Sequence, residues 1–192
     1  MAQADGTVLT DRDATVANVR RAVTEAVQKA GPDDLLVFFY SGHGDRVRRT
    51  TAQSTDPDGY DETLSLYDAE LADDAFNELL SASRARVTLV VLDSCFSGGF
   101  SKDVISAPGR MGLFSSHEDV TSGVARKFRA GGYLAHFFVE AAGDGQAECF
   151  VGVHHAPPLL SVTGRAAVVC SAHCNGAASV VCRARVAWTW SR

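Results

Sequence analysis

Two continuous apolar runs constrain the fold of this chain more than any other feature. They are LLVFFY at residues 35–40 and VTLVVL at residues 87–92. A strand that is covered on both faces typically has a continuous apolar sequence, whereas a strand with one solvated face alternates apolar and polar residues. Helix-like patterns precede, separate and follow the two runs. This alternation predicts an α/β domain with a mainly parallel sheet.

Helical periodicity is clearest in three segments. The first is capped by Asp13 or Thr15, carries valines at intervals of three to four residues and ends at Gly31-Pro32. The second covers about residues 74–83 and the third about residues 133–142. A short strand is predicted at residues 6–10, before the first helix.

Two stretches, residues 45–57 and residues 101–116, lack apolar periodicity and are predicted to be loops. Residues 1–147 are predicted to form one domain, and residues 148–192 an irregular, cysteine-rich tail. The tail contains neither Lys nor Asp. This composition is also what an out-of-frame reading of a GC-rich gene would produce, so a second interpretation is that the tail is not native coding sequence.

Charge and hydropathy exclude several classes of function. The net charge of the 192 residues is −5 and no basic run is present, so nucleic-acid binding is not expected. No segment approaches the ~18 continuous apolar residues of a membrane helix, and the first residues lack the features of a signal peptide. We therefore expect a cytoplasmic protein without nucleic-acid or membrane partners.

The five cysteines are unevenly distributed, because Cys95 stands alone and the other four follow residue 148. An isolated cysteine in a chain of this composition is a candidate catalytic thiol if a histidine lies beside it. The tail contains Cys170, His173, Cys174 and Cys182, which lack the paired spacing of a zinc finger. A zinc site is therefore not expected.

A histidine and a cysteine each follow one of the two buried strands. His43 lies in SGHG after the first run, and Cys95 lies in DSC after the second. The carboxyl ends of parallel strands share one edge of a sheet, so the two residues are expected to meet there. An imidazole beside a thiol raises the thiolate fraction and can protonate a leaving amine. Each residue alone is more often structural; the pair favours catalysis.

Several motifs of this chain resemble those of a known family. FFYSGHGD and LVVLDSCFSGG look like the histidine and cysteine motifs of metacaspases and related bacterial caspase-like peptidases. DPDGYDETLSLYD and LADDAF are similar to the acidic segment between those motifs, and the separation of 52 residues agrees with the ~50 of caspase-type enzymes. The resemblance covers about Val8 to Ala142.

The resemblance implies the three-layer αβα caspase-like fold and a catalytic dyad. That fold is expected to open with a strand lying centrally in the sheet, and this first strand is expected to be missing, because the chain begins just before what would be the second. Cys95 would be the nucleophile and His43 the general base and acid. The backbone N–H groups of Gly44 and Cys95 would hold the oxyanion.

The resemblance also implies an acidic specificity pocket. Asp93 and Ser41 match positions that line the pocket, and Asp11 lies where a further pocket aspartate is expected. A carboxylate in a pocket favours a guanidinium or ammonium group, so cleavage after Arg or Lys is expected. The alternative role for Asp93 is to cap or hydrogen-bond the turn after its strand.

Calcium is the one cofactor that the resemblance suggests, as an activator rather than a requirement. Asp73, Asp74 and Asp103 correspond to the aspartates through which many metacaspases respond to Ca²⁺, and oxygen ligands suit this ion. The carboxylates from Asp56 to Asp74 do not have EF-hand spacing. A solvated acidic loop with the N-cap of the next helix is the alternative.

The sequence therefore favours a cysteine endopeptidase that acts on protein or peptide substrates. One alternative is a non-catalytic caspase-like interaction module or an inactive fragment. Another is a cysteine-dependent acyl hydrolase or transferase on a different α/β fold, which the absence of G-x-S-x-G around Cys95 disfavours. The sequence makes no prediction of oligomeric state.

Overall fold

The computed structural model of the chain describes residues 4–48, 59–123, 132–143 and 178–185. Its helices are α1 (Val16–Lys29), α2 (Asp73–Leu80), α3 (Ser101–Val104) and α4 (Tyr133–Gly143). Its strands are β1 (Ala4–Thr10), β2 (Asp34–Ser41), β3 (Gly44–Arg48), β4 (Tyr60–Ser65), β5 (Glu70–Ala72), β6 (Val87–Asp93), β7 (Arg110–Phe114) and β8 (Ala178–Arg185). Within these ranges no helix has both the length and the apolar character needed to cross a membrane.

The main sheet has five strands in the order β1-β8-β2-β6-β7. Strand β6 pairs in parallel with β2 on one side and β7 on the other, which confirms an α/β fold with a parallel sheet. Strand β8 is antiparallel to both of its neighbours, so β1 runs in the same direction as β2. Strand β8 comes from the segment that the sequence predicts to be irregular, and it lies inside the sheet, between β1 and β2.

Both faces of β2 are covered, which explains its unbroken apolar run. Phe38 and Tyr40 point to the face that packs against α1 and α2, and the ring of Phe76 in α2 packs against Phe38 in a tilted arrangement with centroids 4.5 Å apart. Phe39 points to the opposite face, where it packs against Phe138 of α4 at 5.8 Å. Successive side chains of a strand alternate between faces, so each face needs its own apolar residues.

Helix α1 forms where its valine pattern predicts. Val19, Val23 and Val27 are buried against the sheet, as expected for an amphipathic helix. Thr15 is the N-cap, and its hydroxyl oxygen accepts a hydrogen bond from Asn18 N at 3.2 Å. The periodicity therefore predicted this helix correctly, and of the two candidate caps, Asp13 and Thr15, the structure selects Thr15.

The prediction of a loop at residues 45–57 was wrong at its start. Residues 44–48 form β3, the edge of a second, antiparallel sheet with the order β3-β4-β5. Most of β3 is solvent-exposed and polar, so no apolar periodicity marks it. It is held by backbone pairing with β4, whose central residues are buried.

The prediction of a loop at residues 101–116 was also wrong, because this stretch contains α3 and β7. The apolar piece Met111 to Phe114 is too short to indicate a strand by itself. Pairing with β6, in which Val90 lies opposite Gly112, supplies the hydrogen bonds that local sequence does not encode.

Asp68 stabilises the first turn of α1 from a distant loop. Its Oδ1 accepts a hydrogen bond from Val16 N at 2.8 Å, and Tyr67 N donates to Ala14 O at 3.0 Å. A carboxylate at a helix N-terminus satisfies an otherwise unpaired N–H and interacts favourably with the helix dipole.

We expect Asp68→Ala to lower the free energy of unfolding by about 1 kcal/mol, the usual effect of losing a helix cap. Urea denaturation followed by circular dichroism measures this. The matched control is Glu25→Ala, which removes an exposed carboxylate from the middle of the same helix. Equal stability of Asp68→Ala and the wild-type chain would contradict the capping role.

Candidate active site

Four strands end at the same edge of the main sheet. Ser41, the last residue of β2, lies opposite Asp93, the last residue of β6, and Gly42 N donates to Asp93 O at 3.2 Å. Ser41 and Thr10 both pair with Ala178, so β1 ends at this edge as well. Strand β7 ends one pair earlier, with Phe114 opposite Leu92. The loops that carry His43 and Cys95 therefore leave the sheet side by side.

The two loops touch through Gly44. A Cβ atom at Gly44 would lie 2.3 Å from the carbonyl oxygen of Cys95 and 3.1 Å from Ser94 Oγ, so only glycine fits without displacing the cysteine loop. His43 O is held by hydrogen bonds from the Tyr40 hydroxyl at 2.6 Å and from Ser65 N at 3.0 Å. The histidine and cysteine segments are thus brought together, as the strand pattern predicts. The His43 side chain is exposed and the Cys95 side chain is half-buried.

The residue after the cysteine adopts an unusual backbone conformation. Phe96 lies in the left-handed region with φ 57°, which non-glycine residues adopt at an energetic cost. Phe96 N donates to Val120 O at 3.0 Å, and Ser122 N points at Cys95 Sγ at 3.3 Å. Cys95 carries a free thiol. The chain after β7 therefore contacts the sulfur directly.

Serines after β7 also support the cysteine loop. Ser94 O accepts hydrogen bonds from Ser115 Oγ at 3.1 Å and from Ser116 Oγ at 3.0 Å. Ser97 N donates to Ser116 Oγ at 3.1 Å. Sequence reasoning missed these residues because it assigned the stretch to a loop. The signal that could have found them is the run MGLFSS, an apolar piece that ends in serine as β2 (Asp34–Ser41) does.

Asp93 carries a buried carboxylate whose two oxygens differ in their hydrogen bonding. Oδ2 accepts a hydrogen bond from Ala135 N in the first turn of α4 at 2.7 Å. Burial raises the pKa of Asp93, and the hydrogen bond from Ala135 and the nearby hydroxyls of Ser115 and Ser122 oppose that rise. No donor from the described part of the chain reaches Oδ1. Asp93 therefore joins β6 to α4 through Oδ2, whereas Oδ1 is buried beside Gly132, where a Cβ atom would lie 2.1 Å from it.

The other two predicted pocket residues lie at different distances from Asp93. Ser41 is buried beside it in the parallel pair of β2 and β6. Asp11 follows β1 at the same edge, but β8 and β2 lie between β1 and β6, which puts Asp11 roughly 14 Å from Asp93 across the sheet. Its side chain is exposed and its φ is 47°.

The three predicted calcium ligands converge. One carboxylate oxygen from each of Asp73, Asp74 and Asp103 lies within 4.8 Å of the others. Asp73 is buried, Asp103 is half-buried and Asp74 is exposed. Oxygen donors of this kind fit Ca²⁺, with water completing its six to eight ligands. Asp56 lies outside the described residues, as do Cys170, His173 and Cys174 of the tail.

Comparison with known sequences assigns the family. The sequence profile described as metacaspase, peptidase C14 domain matches residues 2–103, which include His43 and Cys95. The chain belongs to the metacaspase family. The profile ends at Asp103, so β7, the serines after it and α4 lie beyond the matched region.

Individual metacaspases match the same part of the chain. Metacaspase-4 of Arabidopsis thaliana is 40% identical over 101 residues, which are 48% of this chain and 24% of that protein. Metacaspase-1 of Mycosarcoma maydis is 38% identical over 106 residues, which are 49% of this chain and 26% of that protein. A crystal structure of a Geobacter sulfurreducens protein is 41% identical, with a TM-score of 0.38, over 44% of this chain and 31% of that one. The chain thus spans about a quarter of the length of these two metacaspases.

The raised pKa of Asp93 leads to a prediction for the pH dependence of stability. Because the pKa in the folded chain lies above the ordinary value of 3.8, the folded state binds more protons than the unfolded state between these two values. Ionised Asp93 therefore makes the fold less stable as the pH rises through this interval. Asp93→Asn keeps an oxygen that can accept from Ala135 N and removes the titration.

We expect the stability of the wild-type chain, relative to Asp93→Asn, to fall as the pH is raised from the ordinary aspartate value of 3.8 towards neutrality. Urea midpoints of both chains across this range measure the difference. Asp33→Asn, which removes an exposed carboxylate, is the matched control and should follow the wild-type chain. A relative gain in wild-type stability with rising pH would contradict the assignment.

Proposed function

We propose that this metacaspase-family chain carries the site of a cysteine endopeptidase that cleaves protein or peptide substrates after Arg or Lys. The observation that carries the proposal is the buried carboxylate of Asp93, with one oxygen that accepts no hydrogen bond from the described residues, two positions before the thiol of Cys95. The family supports a cysteine peptidase. The three-layer caspase-like arrangement belongs to the same proposal.

In the proposed reaction His43 takes the proton of the Cys95 thiol, and the sulfur attacks the carbonyl carbon of the scissile peptide. The backbone N–H groups of Gly44 and Cys95 stabilise the oxyanion. When the intermediate collapses, the carbon–nitrogen bond breaks and His43 returns the proton to the leaving amine. Water, deprotonated by His43, then hydrolyses the thioester. The contact between Gly44 and the Cys95 carbonyl supports this arrangement.

The specificity follows from the electrostatics of Asp93. Burial without a cation disfavours its ionised form, which is why its pKa is raised. A guanidinium or ammonium group of the substrate would supply the missing charge and would hydrogen-bond Oδ1. Oδ2 stays with Ala135 N, so the carboxylate is oriented before substrate arrives. A glutamine or leucine side chain at the same place would leave the charge uncompensated.

Ser41 and Asp11 take lesser roles in the proposed pocket. Ser41, buried beside Asp93, offers a hydroxyl to the substrate cation. Asp11, exposed at the end of β1, contributes negative potential across the edge of the sheet without contacting the same group.

The proposed function predicts that the purified chain cleaves fluorogenic peptides ending in Arg or Lys and does not cleave those ending in Asp. Cys95→Ala and His43→Ala should each lower kcat/KM by about 10³-fold or more, because each removes a partner of the dyad. Asp93→Asn should lower kcat/KM for Arg substrates about 100-fold, as loss of a buried charge partner does.

Alkylation separates the dyad from the pocket. Asp93→Asn should keep a Cys95 thiol that reacts with iodoacetamide, detected on its peptide by mass spectrometry. Asp33→Asn, the exposed counterpart, should keep full activity. Cleavage that survives Cys95→Ala would exclude the dyad. A folded chain that cleaves no peptide would favour the alternative of a non-catalytic interaction module.

We further propose that Asp73, Asp74 and Asp103 bind Ca²⁺ as an activator. Their carboxylates lie within 4.8 Å of one another, and α3, which contains Asp103, follows the loop of Cys95. The ion would neutralise three mutually repelling carboxylates and so stabilise the contact between α2 and α3.

Saturating Ca²⁺ should therefore raise the thermal midpoint of the wild-type chain by a few degrees, since a ligand that binds only the folded state stabilises it. The double variant Asp74→Asn/Asp103→Asn should lose this increase. Differential scanning fluorimetry with Ca²⁺ and with Mg²⁺ measures it without any peptidase assay. An unchanged calcium response in the variant would refute the site, and Asp33→Asn serves as the control.

A further inference from the structure

The chain after β7 contacts the cysteine at two points. In residues 117–123, Ser122 N donates to Cys95 Sγ at 3.3 Å, and Val120 O accepts from Phe96 N at 3.0 Å. This segment, called the thiol-contacting segment, lies beyond the region that the family profile matches. An N–H group directed at sulfur orients the side chain and stabilises negative charge on it. The position of this segment therefore affects how the thiol is presented.

Two consecutive carboxylates anchor the segment to different elements. Glu118 Oε2 lies 2.7 Å from Lys102 Nζ, and Lys102 belongs to α3, which follows the cysteine loop. Asp119 forms an ion pair with Arg46, which belongs to β3, the strand that begins directly after His43. One anchor thus connects the segment to the cysteine side of the site and the other to the histidine side.

Arg46 is itself held in place by buried groups. Glu62 is fully buried and its Oε1 lies 3.5 Å from Arg46 Nε, and the guanidinium stacks 4.4 Å above the ring of Tyr60. The carboxyl group of Glu62 packs against Gly99, where a Cβ atom would lie 2.1 Å from Oε2. Arg46 therefore gives the segment a fixed point of attachment between the two catalytic loops.

We propose that Glu118 and Asp119 are positioning residues, which hold the thiol-contacting segment so that the N–H of Ser122 meets the sulfur of Cys95. The consequence for peptide cleavage rests on the proposed function, whereas the presentation of the thiol does not. Both ion pairs are partly exposed, with side-chain exposures of 30% for Lys102, 29% for Glu118, 20% for Arg46 and 58% for Asp119. Salt screens such pairs, so the device is sensitive to ionic strength.

The test compares Glu118→Gln/Asp119→Asn with the wild-type chain. The rate of alkylation by iodoacetamide is followed by mass spectrometry on the peptide that carries Cys95. We expect the double variant to react about fivefold more slowly, because it loses the combined interaction free energy of two exposed ion pairs. With an Arg peptide kcat/KM should fall by a similar factor or more, because the hydroxyl of Ser122 in the same segment also lies near Asp93. Single variants should each show part of the loss, which keeps the proposal testable if the double variant unfolds.

Salt separates positioning from a general loss of stability. The wild-type alkylation rate should fall as NaCl rises from about 0.05 to about 1 M, and the double variant should show little of this dependence, because its anchors are already gone. Glu118→Asp/Asp119→Glu, which keeps both charges, should recover most of the rate. The matched control Glu25→Gln/Asp33→Asn removes two exposed carboxylates elsewhere and should behave like the wild-type chain.

Two results would overturn the proposal. One is a double variant that alkylates at the wild-type rate, and the other is a double variant with the wild-type salt dependence. If no variant and not even the wild-type chain cleaves peptides, but the alkylation rates differ as expected, the positioning role stands and the peptidase proposal fails. If peptides are cleaved and the alkylation rates are equal, the peptidase proposal stands and the positioning role fails.

Discussion

The parallel pairing of β2 with β6 is the constraint on which the rest of the site depends. It places Ser41 opposite Asp93, and two residues further along each strand the chain reaches His43 and Cys95. Because apolar side chains are packed on both faces of the pair, a slip of one residue would exchange side chains between two faces that are packed differently. Contact between the backbones at Gly44 then follows from strand ends that are already aligned.

Asp93 combines a structural and a proposed functional role without conflict, because its two oxygens face different groups. The oxygen toward Ala135 joins β6 to the start of α4, and the other accepts no hydrogen bond from the described residues. Burial of this carboxylate opposes its ionisation, and a substrate guanidinium would reverse that effect. The proposed specificity would come from a charge that the described residues leave uncompensated. The ion pairs of Glu118 and Asp119 differ from buried Asp93 in that they are partly exposed. Their strength therefore depends on the salt concentration.

The sequence predicted those elements whose buried residues form an apolar pattern within the element itself. The two apolar runs predicted β2 and β6, and the valine spacing predicted α1, because the buried faces of these elements consist of apolar residues at strand or helix spacing. Strands β3 and β7 were missed for the opposite reason. One is largely exposed and the other is short, so partners elsewhere in the chain stabilise them and no local periodicity indicates them.

The sequence by itself determined the family, the α/β class and the placement of a histidine and a cysteine after two buried strands, because these depend on residue types within short, continuous segments. Only the tertiary structure decided which groups surround them. Ser122 meets the thiol from 27 residues away, and Ala135 meets Asp93 from 42 residues away. Such contacts arise from strand order and helix packing, which bring distant segments to one edge of the sheet, and no spacing along the chain encodes them.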